Sequence, residues 1–382
     1  MPETVQDWLT ALDDAFPGRD AQSWDSVGLQ VGDPADTVDA VLVCLDVTAQ
    51  TLSEAAERGA NLIVAHHPLL FRPLARLTPE TAAGRLVLDA ARRGVAVVAA
   101  HTNLDAATEG TTAPIMAALG VSDAAPLVPL DSPAYKVVVF TPPGATAGVL
   151  DAAFGAGGGR IGEYDECSFR LAGTGTFRPS AAANPTAGQR EQRNAASEER
   201  IEVLAAGERL RAVVDAIVAA HPYEEVAYDV YPLHATGGPG PTKGLGRVAD
   251  LPAPRPLREV ARAIRDGLPA PHLRVAGDPD RVVSRVAACG GAGDALIDAA
   301  MAAGADVYVT GDLRHHPTLD ALTQGLGVID AGHYATEAPA MAHLAERLEG
   351  AARRRGLSAR LLASAVPTEP WVADWDKETT QR

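Results

Sequence analysis

Val38–Asp46 reads VDAVLVCLD, a short β-branched and apolar run closed by an aspartate, and Ala49–Gly59 behind it has helical composition and a closing glycine. The unit then repeats. Asn61–Ala65 (NLIVA) is a second buried-strand run, Thr81–Gly94 a helix with a capping glycine, and Val95–Ala100 (VAVVAA) a third strand. Strands that are apolar on both faces and separated by helices imply a mostly parallel sheet covered on both sides, and so an α/β fold.

The last third follows the same grammar. Val282–Cys289, Ala305–Thr310 and Gly327–Asp330 read as strands, with helices over Asp294–Ala303 and Pro317–Gln324 between them. The middle of the chain differs. A strand (YKVVVFTP, from Tyr135), a helix over Ala147–Ala156, and short strands at Cys167–Arg170 and Gly173–Phe177 precede a polar stretch, Ser180–Glu199, which is expected to be a loop. Ile201–Ala205, a helix over 208–220 and Val226–Pro232 complete a β-α-β-β-α-β pattern, that of a ferredoxin-like α+β module inserted into the α/β core. Gly237–Pro241 (GGPGP) reads as the return linker. The expected domains are a core first half over 1–131, an insert over 132–236 and a core second half over 237–382.

Composition narrows the function. The chain has 382 residues, 47 % hydrophobic and 21 % charged, as in ordinary globular proteins. A net charge of -16 argues against general nucleic-acid binding, which needs a basic face. The three cysteines, Cys44, Cys167 and Cys289, have no partner spacing, so neither a disulfide framework nor a thiolate zinc site is expected. With no secretory pattern near the amino terminus and no apolar stretch long enough for a bilayer, a cytoplasmic protein without a membrane partner is expected.

Polar, ligand-capable residues gather where the strands end. His66 and His67 (IVAHHP) follow one strand, His101 and Asp105 (HTNLD) a second, Asp312, His315 and His316 (GDLRHHP) a third, and His333 with Glu337 (IDAGHYATE) a fourth. In open α/β sheets ligands bind at the carboxyl ends of strands, so the four would deliver imidazole and carboxylate to one edge. Neighbouring strand residues point to opposite faces, but at a strand end two histidines can splay toward two ions. His333 and Glu337, four apart, share one face of a helix. An imidazole and carboxylate set without thiolate suits zinc, iron or manganese.

Each feature has a plainer reading. A paired histidine is usually a surface feature, the His-x-x-x-Glu spacing is common by chance, Asp105 could cap a helix, and for Asp46 a cap is the favoured role. Cys289–Gly293 (CGGAG) could cradle a phosphate or serve close packing. Trp8, Trp24, Trp371 and Trp375 are read as packing residues. Convergence at four strand ends is what favours a metal site.

The motifs WDSVGLQVGD (Trp24–Asp33), AHHPLLF (Ala65–Phe71), HTNLD, TGDLRHH (Thr310–His316) and DAGHYATE (Asp330–Glu337) together resemble the NIF-like dinuclear-metal proteins, often labelled GTP cyclohydrolase 1 type 2 homologues. The resemblance runs to about Leu348. It implies two divalent ions: His67 and Asp105 on one, His66 and His333 on the other, and Glu337 bridging. GEYDECSF (Gly162–Phe169), GTGTFRP (Gly173–Pro179) and HPYEEVAYDV (His221–Val230) are similar to the PII-like and CutA-like inserts of longer members, although Ala181–Asn184 departs where a glycine is common. Those members imply a toroidal homohexamer with its metal sites facing an internal cavity.

Two functions follow as expectations. Bridged ions would support hydrolysis of a nucleotide or phosphoester, with His101, Asp312 or His316 transferring protons. The alternative is a non-catalytic hexamer that binds, senses or regulates through metal.

Overall fold

The computed structural model describes residues 2–130, 134–162, 164–207, 209–233 and 242–371. The return linker read at Gly237–Pro241 and the residue Trp375 lie outside these. The chain divides into two compact units, Met1–Leu130 with Pro241–Arg382, and Asp131–Gly240.

In the first unit, β1 (Gly28–Val31), β2 (Ala40–Cys44), β3 (Leu62–Ala65), β4 (Ala96–Ala99) and β5 (Ala125–Pro129) precede the insert. The second unit holds β6 (Ala134–Thr141), β7 (Ser168–Phe177), β8 (Asn194–Ala206) and β9 (Tyr228–Leu233). The first unit resumes with β10 (Gly244–Pro256), β11 (Arg274–Ala276), β12 (Val282–Ala292), β13 (Val307–Gly311), β14 (Gly327–Asp330) and β15 (Arg360–Ala363).

The first unit is built on two sheets rather than one. Their strand orders are β1-β4-β3-β2-β15 and β11-β14-β13-β12-β10-β5. Strands β4, β3, β2 and β15 run parallel, as do β12, β13 and β14, while β1, β11, β10 and β5 add antiparallel edges. The first sheet is mostly parallel, as expected, whereas the second pairs only β12, β13 and β14 in parallel and is mixed; the core as a whole is α/β. The error of expecting one edge has a simple cause: hydrophobic runs mark strands but carry no information on which strands pair.

Every residue of β2, β3 and β4 is buried, and period-two alternation sends them to different layers. Val41, Val43, Leu62, Val64 and Val98 pack with Trp8 and Leu12 of the Val5–Ala15 helix and with Leu344 and Leu348 of the Ala340–Arg354 helix. Leu42, Cys44, Ile63, Ala65 and Val97 face the opposite way, onto Leu52 of the Ala49–Glu57 helix and Val87 of the Ala82–Arg92 helix. The first sheet is thus covered on one side by helices from both ends of the chain.

The second unit is a β-α-β-β-α-β module with helices Thr146–Gly155 and Leu210–Ala220 and sheet order β7-β8-β6-β9, all pairs antiparallel. Its strands are longer than the sequence suggested. The runs at Cys167–Arg170 and Gly173–Phe177 merge into one strand, and the end of the expected polar loop, from Asn194, is already strand β8 paired with Phe177. Polarity was a poor guide there because that stretch of β8 is a largely solvent-facing ribbon, so the ladder forms without an apolar period.

Leu344 is fully buried on the first sheet although it comes from the far end of the chain. Leu344→Ala should cost about 2–5 kcal/mol of stability, read as a lower urea midpoint by circular dichroism. A wild-type midpoint would mean that this helix is not part of the core.

Candidate metal centre

The first sheet contributes the amino-terminal half of the cluster. After β3 the chain bends, the backbone N–H groups of His66 and His67 donate to Cys44 O and Leu45 O at 3.1 and 2.9 Å, and the two rings lie side by side with centroids 4.9 Å apart. His66 is fully buried and donates Nδ1–H to Ala100 O at 3.0 Å. His67 donates Nδ1–H to Asp46 Oδ1 at 2.7 Å. His101 follows β4 and donates Nδ1–H to Asp25 Oδ1 at 2.8 Å, while Asp25 also accepts from the Thr102 N–H at 3.0 Å. Asp105 closes the single-turn helix Thr102–Asp105 and accepts from the Thr111 hydroxyl at 2.6 Å.

The second sheet contributes the rest. Gly332, at φ 87°, turns the chain out of β14 into the helix His333–Glu337, where spacing of four puts both side chains on one face. His333 donates Nδ1–H to Asp312 Oδ2 at 2.7 Å. Glu337 reaches inward because glycines make room: a Cβ on Gly291, itself at φ +64°, would lie 2.1 Å from Glu337 Oε1. The Gly291 N–H donates to the Thr336 hydroxyl at 2.9 Å, fixing that packing.

Each of the four histidines therefore commits Nδ1 to a carbonyl or carboxylate and turns Nε2 inward, the arrangement that orients imidazole for a cation. His67 Nε2 and His333 Nε2 both lie 3.0 Å from Glu337 Oε2 and 3.2 Å from each other. His66 Nε2 lies 3.6 Å from Glu337 Oε1 and 3.7 Å from Asp105 Oδ1. His66 Nε2 is buried without a hydrogen-bond partner. A buried polar atom is seldom left so, and one aimed at two carboxylates suits a cation. Among the described residues, ligand atoms group as His67, His333 and Glu337; as His66, Asp105 and Glu337; and as His66, His67 and His101. This cluster could hold a metal ion.

Burial opposes charge throughout, yet the charges sustain one another. Desolvation works against ionising Glu337, but His66, His333 and His67 outweigh it and hold the carboxyl well below the usual range. Against the same burial, Asp46 and Glu337 raise His67 to about 10, and Glu337 and Asp312 raise His333 to about 9. Asp105 is pushed up, by burial first and by Glu337 as well.

The structure brings together all the residues singled out as ligands, His66, His67, Asp105, His333 and Glu337, but groups them differently from the pairing the resemblance implied. Their ligand atoms lie as His66 with Asp105 and His67 with His333, with Glu337 common to both groups. Of the proton-transfer candidates, His101 joins the cluster and Asp312 orients His333 from behind. His316 is not among the clustered ligand atoms of the described residues: it is exposed and stands against His315, ring centroids 5.3 Å apart.

Several plainer readings are also decided. Asp46 is not a helix cap; Thr48 and Thr51 form the capping box of the next helix, and the Asp46 carboxylate holds His67 and accepts from Thr368. Cys289–Gly293 belongs to close packing, since β12 runs through it to Ala292 and Glu337 fills the space above Gly291. Trp8 packs in the core, whereas Trp24 and Trp371 are exposed at 61 % and 81 %, contrary to the packing role expected of them. Sequence reasoning missed Asp25 and Arg247. The buried Arg247 guanidinium donates to Gly244 O and Gly246 O, both at 2.7 Å, and to Ala107 O, so β10 secures the turn that carries Asp105. Asp25 stood inside the quoted WDSVG motif, but nothing in its spacing tied it to His101, 76 residues away. A cavity of about 900 Å³ lies elsewhere, in the second unit, lined by Phe177, Arg178, Glu198 and Tyr223 among others.

The fold is an α/β core whose two sheets converge on a cluster of histidines and carboxylates that could hold a metal ion. The chain belongs to the Duf34/NIF3 (NGG1p interacting factor 3) family, whose model matches residues 3–370. It is 40 % identical over 379 residues to a Mycobacterium tuberculosis protein named GTP cyclohydrolase 1 type 2 homolog, covering 98 % of each chain. A Bacillus subtilis protein of the same name is 40 % identical over 320 residues, 84 % of this chain and 85 % of that one. Among solved structures, a Bacillus cereus protein related to NIF3 superposes with a TM-score of 0.86 at 36 % identity, covering 97 % of this chain and 99 % of that one. Among the described residues no helix is long and apolar enough to cross a membrane.

Two outcomes test the centre. In the metal-free protein at pH 7, His67 and His333 lie below their raised pKa values of about 10 and 9 and carry protons. A divalent cation must displace them, so zinc added to weakly buffered protein should release about one to two protons per chain, read with a pH indicator. Gly291→Ala should expel Glu337 and weaken zinc binding by at least about tenfold by calorimetry, with the rest of the fold retained.

Proposed function

We propose that this cluster is the dinuclear metal centre of a hydrolase acting on a nucleotide or phosphoester. The observation that carries the reading is the convergence of histidine Nε2 atoms, each tied at Nδ1, on one buried carboxylate shared by two ligand groups. His66 with Asp105, and His67 with His333, would hold two divalent ions, with Glu337 common to both groups. Zinc, iron and manganese all suit this donor set. When bound, such ions supply Lewis-acid chemistry, activating water and stabilising the charge that develops on a phosphoryl group or purine ring.

The chain's own residues have distinct parts. Asp46 and Asp312 hold the rings of His67 and His333, so loss of either carboxylate would loosen a ligand. His101 is the imidazole left over once each ion has its ligands. Its Nδ1 is anchored by Asp25, and its ring lies 5.1 Å from His66 and 5.8 Å from His67, placing Nε2 to hold or pass a proton at the cluster. The relatives' name, GTP cyclohydrolase 1 type 2 homolog, supports a nucleotide among the candidate substrates. The reading includes a cytoplasmic homohexamer with an internal cavity, on the resemblance to long-form members.

Metal analysis of purified protein, followed by assays on GTP and a panel of phosphoesters, tests this. Wild type should carry about two ions per chain and turn over at least one compound. Glu337→Gln should reduce turnover to background. His101→Ala should lower kcat about 10²–10⁴-fold with metal content retained. Equal residual turnover by wild type and Glu337→Gln on every compound would end the hydrolase reading.

A further inference from the structure

Trp24 and Phe71 are large aromatic residues that the fold leaves 61 % and 49 % accessible. They come from separate segments, Trp24 ahead of β1 and Phe71 just beyond His66 and His67. Their rings nonetheless meet, centroids 6.0 Å apart at 77°. Both also stand edge-on to His101, at 6.4 Å and 77° for Trp24 and 6.1 Å and 88° for Phe71. The pair is thus joined to the cluster through one imidazole, that of His101.

Aromatic rings of this size ordinarily gain by burial, and a scattered exposed one needs no explanation. Two that converge from different segments, at 77° to each other and both against His101 of the ligand cluster, form an exposed apolar corner beside a polar site. Such corners mark where the apolar part of a ligand lies while its polar part is held deeper. Perpendicular rings present one face and one edge, a surface that suits another flat π-system in offset or edge-to-face contact better than a flexible alkyl chain.

We propose that Trp24 and Phe71 form the wall that binds a planar aromatic ring of the substrate, whose reacting group passes His101 to reach the metal centre. This deepens the proposed function and rests on it for the metal centre. It specifies an aryl or heteroaryl compound rather than an alkyl one, and it makes Trp24 and Phe71 specificity-determining residues. They take no part in proton transfer or metal binding.

The test uses small chelators that carry no phosphate and are not turned over. Zinc-loaded, full-length protein is titrated by calorimetry with benzohydroxamate, cyclohexanecarbohydroxamate and acetohydroxamate. Benzohydroxamate should bind at least about tenfold more tightly than acetohydroxamate and more tightly than the cyclohexyl compound. That preference should collapse in Trp24→Ala and Phe71→Ala at unchanged zinc content, and return in Trp24→Phe. Equal affinities, failure of benzohydroxamate to bind, or a preference that survives both alanine variants would overturn the proposal. So would a change in sedimentation on Trp24→Ala with the preference intact, since another copy of the chain would then cover the corner. An aryl preference in a protein inert toward every phosphoester keeps the wall and removes the hydrolase. Turnover that depends on Glu337, without aryl preference, removes the wall alone.

Discussion

A carboxylate buried at 4 % exposure dominates this molecule. Moving Glu337 out of water disfavours its charge strongly, and only opposite charge arranged close around it can offset that. His66 and His67 come from the first sheet, while His333 comes from the second, one turn before Glu337 itself. The site therefore cannot exist within either sheet alone, and its electrostatics depend on the two being held together.

The chain has a direct way of holding them. Glu337 ends the short helix that follows β14 of the second sheet, and Ala340 opens the long helix whose Leu344 and Leu348 lie on the first sheet. A few residues thus separate the central acid from a helix anchored across the site. Arg247 makes a second tie, from β10 to the turn behind Asp105. Packing and chemistry share the same segments, and displacement of either sheet would be felt at Glu337.

Much of this was legible in the residues. The apolar runs of β2, β3 and β4 declared themselves because parallel strands are buried on both faces. Topology put polar residues at strand ends, which gathered His66, His67, His101, Asp105, Asp312, His315, His316, His333 and Glu337; the narrower set of five came from the resemblance. What stayed hidden is what sequence does not encode locally. Pairing of strands into two sheets depends on long-range contacts. Asp25 could not be linked to His101 across so many intervening residues, and Asp46 looked like a cap because a carboxylate after a strand serves either purpose. Only the second part of strand β8, from Ile201, was legible; its start at Asn194 escaped notice since that ladder needs no apolar period on a wet surface.

The point at which the second unit enters also has a meaning of its own. Its host strands, β5 and β10, are antiparallel neighbours, and at their open end the Leu130 N–H still donates to Lys243 O at 3.0 Å. The insert therefore occupies the place of a hairpin turn. The entropy of closing a loop grows only with the logarithm of its length, roughly 0.6 kcal/mol for each doubling, so such a hairpin tolerates a few residues or an entire folded module at similar cost. The host architecture closes on itself at that point, which leaves the length and content of the insertion free to diverge while the strands beneath it, and the turn that Arg247 secures, stay in register.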